Sequence, residues 1–333
     1  MAAVSPPSRQ RSTSRSKRCK DGAEQPSSAE LLVAAIIQLL EAGTTPWRRV
    51  WDSTGGGHHV NLLSGHRYRG ANPILLTLGM HLRGSVMPYW CGFAEAKAHG
   101  VFPRQGSRGI RILRPQLICP GDAAGSVGSV GSGGQDPPKA TTSRPADGSS
   151  AERGWVSFRP VVVFNASDLQ GEKLAARRSA EQVAPRSEPE RLAAAETILS
   201  AWPVPVSHGG DKACYLPQLD RIQLPERAAF HSAAGFYATW AHEAIHSTGH
   251  ASRLKRDLGG RMGSKAYARE ELIAELGSVL LGDQLEIGSA IENHAAYLGH
   301  WVELLKESPQ VLFQVLGEAR RAVEVSVPHH QLD

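Results

Sequence analysis

Cysteine is scarce, and the four that occur (Cys19, Cys91, Cys119 and Cys214) stand far apart with no C-x-x-C pair among them. That spacing fits neither a disulfide framework nor a cysteine-ligated zinc site, and it points to free thiols in a reducing compartment, here the cytoplasm. Long apolar runs are also missing. No stretch approaches the ~18 residues that a bilayer-spanning helix requires. Acidic residues are short in one region: residues 44–115 carry ten Lys or Arg against two acids, Asp52 and Glu95, whereas residues 200–333 carry twelve Lys or Arg against sixteen acids. A locally basic half joined to a mildly acidic half places any polyanionic partner on the first half. What remains is ordinary globular material, 41% hydrophobic and 21% charged, and 333 residues suffice for two domains.

Residues 1–26 are rich in Ser, Pro and Arg and nearly devoid of large apolar side chains, so they read as a disordered basic tail. A helix is expected from Ser27, where Ser27-Ser28-Ala29-Glu30 fits a capping box and Leu32, Ile36, Leu39 and Leu40 repeat on one face before Gly43. A second helix is expected near Asn72 to Leu82, and strands at Gly109 to Ile118 and Trp155 to Phe164. Between those strands, residues 120–153 are dominated by Gly, Ser and Pro and read as a flexible insertion inside the first domain. The first domain therefore spans 27–170, a linker 171–189 and the second domain 190–327. The second opens with a helix at Glu190 to Ser200, continues through strands at Ala213 to Leu216 and Arg221 to Leu224, and is otherwise mostly helical.

The segment ATWAHEAIHSTGH, Ala238 to His250, contains His-Glu-x-x-His. Residues four apart on a helix point the same way, so His242 and His246 can reach one ion from successive turns. Neutral imidazoles suit Zn²⁺, and Glu243 beside the first ligand can take a proton from an attacking water. Imidazole and carboxylate ligands also accept Mn²⁺ or Co²⁺. Phe236, Tyr237, Trp240, Ala241, Ala244 and Ile245 give the helix an apolar flank, and buried His and Glu side chains without a partner would be costly. A metzincin would place its third ligand at position 252, which is Ser252, so His250 stands at the wrong distance. A downstream helix, Tyr267 to Glu275, offers carboxylates instead. Glu271 is expected to face the metal and Glu275, one turn on, to orient a histidine ligand. Glu270 is expected to be solvated, paired with Arg269 or Lys265. Tyr267, His250 and Arg253 are candidates to assist a developing oxyanion, and the run from Tyr215 to Pro225 is expected to form an edge strand beside the cleft.

The first half interleaves aromatics with cations: Trp47, Arg48, Arg49 and Trp51, then Arg67, Tyr68, Arg69 and Asn72, then Trp90, then Arg104, Arg108 and Arg111. Exposed aromatics stack on unpaired bases while arginines hold phosphates, the combination that single-stranded nucleic acid requires.

Taken together, EAGTTPWRRVW, YRGANPILL, YWCGFAEAKAHG, RPVVVFNASDLQG, YLPQLDRIQLP, ATWAHEAIHSTGHASRL and YAREELIAELGS resemble the ArdC-type antirestriction proteins carried by mobile elements, whose N-terminal module also occurs in plasmid primases. The resemblance runs from Ser28 to Val325, interrupted by the insertion. It implies an α+β chain: a small N-terminal α+β single-stranded-DNA-binding domain, then a mostly helical zincin-like metallopeptidase domain with a small sheet. It also implies His242, His246 and Glu271 as ligands of one zinc ion, Glu243 as the base, and an antirestriction role linked to conjugation. Ser247 departs from the family, which usually has a bulky aromatic there. Two other outcomes follow from the residues: a DNA-protection protein in which the metal is structural, or an accessory fragment of a primase, although no polymerase-like acidic cluster follows the zincin region.

Overall fold

The computed structural model describes residues 28–47, 58–118, 155–171, 174, 187–288 and 295–326. The basic tail, the capping box at Ser27, the 120–153 insertion and most of the 171–189 linker lie outside the described residues. The architecture is α+β, as expected. In chain order the elements are α1 (Ser28–Glu41), β1 (Val60–Asn61), α2 (Asn72–His81), β2 (Tyr89–Gly92), α3 (Phe93–Ala98), β3 (Phe102–Pro103), β4 (Ile110–Ile118), β5 (Trp155–Asn165) and β6 (Leu169–Gln170). The second half continues with α4 (Glu188–Ser200), β7 (Val206–His208), β8 (Cys214–Leu216), β9 (Arg221–Leu224), α5 (Ala233–Ser247), α6 (Lys265–Leu285), α7 (Ala295–Glu307) and α8 (Val311–Ser326).

A four-stranded sheet of order β1-β2-β5-β4 organises the first half, with β4 and β5 forming a long antiparallel ribbon from Ile110↔Val163 to Ile118↔Trp155. Helix α2 starts at Asn72-Pro73, where proline is tolerated because the first-turn N–H groups have no intrahelical partner. Nine of its residues are buried, which is how a helix apolar on every side settles: between two layers. Leu76 and Met80 pack on the sheet with Trp90, Ile110, Ile112 and Val163. Ile74, Leu75 and Leu78 face the other way, into a core shared with α1 and with α4 through α8. One apolar cluster therefore runs from Val33, Ile36, Leu40 and Trp47 in the first half to Ile245, Leu272 and Trp301 in the second.

A second sheet, of order β7-β9-β8, lies against α5 and has β8 at its edge. Helix α5 begins where Ser232 accepts a hydrogen bond from the Gly235 N–H at 3.0 Å, and α6 begins where Ser264 accepts from the Tyr267 N–H at 3.2 Å. These two helices cross at Ile245 and Gly277. A Cβ at Gly277 would stand 2.7 Å from the Ile245 side chain, so glycine sets how closely the two helices approach. That close approach brings the histidine face of α5 against the glutamate face of α6. No described helix is long and apolar enough to cross a membrane.

Candidate metal centre

His242 and His246 project from successive turns of α5, with ring centroids 4.7 Å apart and Nε2 atoms 3.1 Å apart. Glu271, on α6, places Oε2 3.7 Å from His242 Nε2 and Oε1 3.6 Å from His246 Nε2. Among the described residues these three form the one group able to converge on a metal ion, with all ligand atoms within 4.8 Å of one another. The donor set fits. Two nitrogens bound to one tetrahedral ion at about 2.0–2.1 Å stand about 3.3 Å apart, close to the observed separation of 3.1 Å.

The proton inventory supports the same reading. His246 Nδ1 lies 3.1 Å from Glu270 Oε1, which orients the ring so that Nε2 faces His242 Nε2 and Glu271. Glu270 is itself held by Arg256, whose Nε donates to Oε2 at 2.9 Å and whose Nη2 donates to Oε1 at 2.8 Å. The same guanidinium donates to Thr248 Oγ1 at 2.7 Å and to the Ile245 carbonyl at 2.8 Å, closing the C-terminal end of α5. Burial opposes charge on His246, but the hydrogen bond to Glu270 and the charges of Glu271, Glu243 and Glu270 outweigh it and raise the imidazole to about 9 without a metal. Burial likewise works against Glu271, yet its hydrogen bond to His242 and the His246 charge bring the carboxyl down to about 2. Two acids thus converge on His246, and one of them, Glu271, also reaches His242.

Glu243 is buried one residue from the first ligand. Burial, then the charge of Glu243, pushes the Cys214 thiol above its ordinary range, and edge strand β8 packs against the helix that carries Glu243. Tyr267 lies 3.3 Å from Tyr297 through its hydroxyl and interacts electrostatically with Glu271. Burial, then these two partners, drives the phenol far above its usual value. Of the three candidates for assisting an oxyanion, Tyr267 is the one whose titration is influenced by the candidate ligand Glu271. Arg253 is committed elsewhere: it pairs with Asp220 and donates to Tyr215 Oη at 3.2 Å and the Ser247 carbonyl at 2.8 Å. His250 Nδ1 contacts Ser252 Oγ at 2.7 Å. The buried Ser247 hydroxyl accepts from the Trp202 indole at 2.8 Å.

Several sequence expectations are corrected. Glu270 is buried and paired with Arg256 and His246, so it, and not Glu275, orients the histidine. Glu275 accepts instead from the Trp47 indole N–H at 3.0 Å, because one turn along α6 its side chain meets the first half of the chain. Trp47 packs 5.6 Å from Trp301 in the core, and Trp90 is fully buried with its indole donating to His59 Nδ1 at 3.0 Å, so neither presents a ring face to a base. Asn72 is also committed to structure: it donates to the Leu113 carbonyl at 2.9 Å and accepts from the Leu113 N–H at 2.8 Å. Arg67 and Tyr68 flank the β1 turn, where Arg67 approaches Glu286 at 4.0 Å and Tyr68 is half-buried. Arg69, Arg104 and Arg108 are exposed. Arg48, Arg49 and Trp51 lie outside the described residues. Sequence reasoning missed Arg256, which comes from the loop between the two site helices and carries no spacing signal.

Known proteins with the same organisation can now be set beside this geometry. Residues 193–317 match the family model of a zincin-like metallopeptidase, and residues 27–130 match that of the N-terminal domain of anti-restriction factor ArdC. The chain is 36% identical over 299 residues to DNA primase TraC of Escherichia coli, covering 88% of this chain and 26% of the primase. It thus spans about a quarter of that relative's length. An uncharacterized protein of Sinorhizobium fredii, y4eC, is 30% identical over 307 residues, with 89% of this chain and 90% of that protein covered. The crystal structure of antirestriction protein ArdC from plasmid R388, in its metal-free form, superposes with a TM-score of 0.62 at 30% identity, over 90% of this chain and 97% of that one. A Mn(II)-bound structure of the same protein gives the same TM-score at 28% identity. Fold and site together define a zincin-like metallopeptidase module joined to an ArdC-type N-terminal domain. The chain belongs to the ArdC family of antirestriction proteins.

Proposed function

We propose that this protein binds single-stranded DNA through its first half and hydrolyses peptide bonds at the His242, His246 and Glu271 site, protecting DNA of mobile elements from restriction in the recipient cytoplasm. The observation that supports the catalytic reading is the convergence of His242, His246 and Glu271, with buried Glu243 next to His242 on a helix against which edge strand β8 packs. His242, His246 and Glu271 would hold one divalent ion, Zn²⁺ in this reading, which would supply Lewis acidity when bound. Glu243 accepts the proton released as a water attacks the scissile carbonyl, then returns it to the leaving amine. Strand β8 receives the peptide in extended form through its free backbone edge. Tyr267 donates its hydroxyl proton as a hydrogen bond toward the developing oxyanion, a role that a phenol held strongly protonated can fill at neutral pH.

Hydrolysis of an unfolded protein substrate by the zinc-loaded full chain tests this reading. Activity should disappear on chelation and return when zinc is restored. Cleavage that survives complete metal removal, or a loaded chain with no activity on a broad unfolded-protein and peptide panel, would sink it.

A further inference from the structure

The two faces of the four-stranded sheet are covered unequally. One is sealed by α2 through Leu76, Met80, Trp90, Ile110, Ile112 and Val163. On the other, the cluster of Leu62, Cys91, Ala96, Val101 and Leu169 covers the β1–β2 side. Among the described residues, that face stays open around Val162 on β5. Val162 is 44% exposed at the centre of β5, and Phe93, at the start of α3, is 53% exposed. Phe164 shares the Val162 face, since the two are separated by two positions on a strand, and its ring lies 6.5 Å from that of Phe93. The backbone is shaped to keep these side chains flat. A Cβ at Gly109 would stand 2.3 Å from Val162 Cγ1 and 3.3 Å from Phe164 Cζ, so glycine alone lets them lie across the neighbouring strand.

Cations surround this platform. Arg111 is exposed and stands directly opposite Val162 in the ladder, hence on the same face. Arg114 and Arg159, paired further along the ribbon, alternate to the opposite face with Ile112 and Val161 and do not belong to this platform. Among the described residues, the side chains of Arg104, Arg108 and Arg111 make no ion pair. The two described acids of the region are engaged: Glu95 accepts from Asn61 at 2.9 Å, and Asp168 pairs with Arg83 at 2.7 Å.

We infer that this open face, centred on Phe93, Val162 and Phe164 and rimmed by Arg111, Arg108 and Arg104, is where single-stranded DNA lies, with unpaired bases on the rings and phosphates on the guanidiniums. The inference rests on the proposal that the first half binds single-stranded DNA, and it replaces the buried Trp47 and Trp90 with side chains that a base can reach. A flat apolar centre with a cationic rim suits a strand that exposes base faces, because every base has a π-face and a duplex hides it. Duplex DNA would engage the rim alone.

Fluorescence anisotropy with a labelled oligothymidylate of about 20 nucleotides, titrated with the full chain across a salt series, tests the assignment. Phe93→Ala should weaken binding about tenfold with an unchanged salt dependence, since it removes stacking and no charge. Arg111→Ala should weaken binding and flatten the slope of log K against log salt by about 0.7, the release expected for one phosphate contact on a single strand. Met262→Ala, an exposed residue of the second half, should change neither. If the wild-type chain binds the oligonucleotide and both first-half variants match it, the surface is wrong while single-strand binding stands. If the wild type fails to bind at low salt, single-strand binding and this surface both fall. Equal affinity for a duplex, or a Phe93→Ala effect that proves to be a loss of self-association, also overturns the assignment.

Discussion

Glu243→Gln should keep one divalent ion per chain and lose peptide hydrolysis by about 10²–10⁴-fold, the range over which a positioned general base acts. The substitution is nearly isosteric and Glu243 lies outside the converging ligand triad, so metal uptake should survive. What disappears is the one buried carboxylate beside the ligands with no assigned ligand or orienting role, and with it the acceptor for the proton of the attacking water. The variant also separates the two roles a metal can have here. If protection of transferred DNA persists in Glu243→Gln while hydrolysis is gone, the peptidase chemistry is dispensable for antirestriction and the ion serves the fold. Measured kcat/KM equal to wild type would remove Glu243 from the mechanism.

Arg256→Ala should destabilise the metal-free protein by about 3–5 kcal/mol, the cost of leaving a buried charge without its partner. Both side chains are deeply buried, at 6% and 9% exposure, so solvent does little to replace the lost pairing. The damage should spread to the site, because Glu270 orients His246; loss of such an orienting carboxylate interaction lowers metal affinity by about 10–100-fold. The effect has a definite pH sign. Burial tends to raise the Glu270 carboxyl, but hydrogen bonds from Arg256 and His246 outweigh it and hold it below its ordinary value. A depressed carboxyl contributes stability that is present above its unfolded pKa and lost as pH falls through the folded one. The gap between wild type and Arg256→Ala should therefore be full at neutral pH and shrink in acid, as read by urea denaturation at each pH. A gap independent of pH would assign the loss to packing alone.

The candidate ligand set was legible because it is local: His242 and His246 need only the period of a helix, and Glu271 only a second amphipathic helix with a carboxylate on its buried side. The long elements were legible for the same reason. Helices α1, α2 and α4 and the β4–β5 ribbon fall where apolar periodicity and turn residues put them. Strand β2 was not, since Tyr89-Trp90-Cys91-Gly92 is short and buried toward both faces, and its Tyr-Trp pair reads as a base-stacking motif when the layer above it is unknown. Partner assignments failed where tertiary packing decides them. Glu270 and Glu275 are both carboxylates on one helix, and their roles are set by a loop arginine, Arg256, and by Trp47 from 228 residues earlier in the chain. The exposed platform of Phe93 and Phe164 was hidden behind the tryptophans, whose size marks them for the core at least as strongly as for stacking.

The most direct test of the metal centre is elemental analysis of the full chain after metal replenishment and exhaustive dialysis, with His246→Ala treated in parallel. One divalent ion per wild-type chain and none in the variant is the predicted result. A wild-type chain that takes up no stoichiometric metal, or a variant that holds as much as the wild type, would contradict a site built from His242, His246 and Glu271.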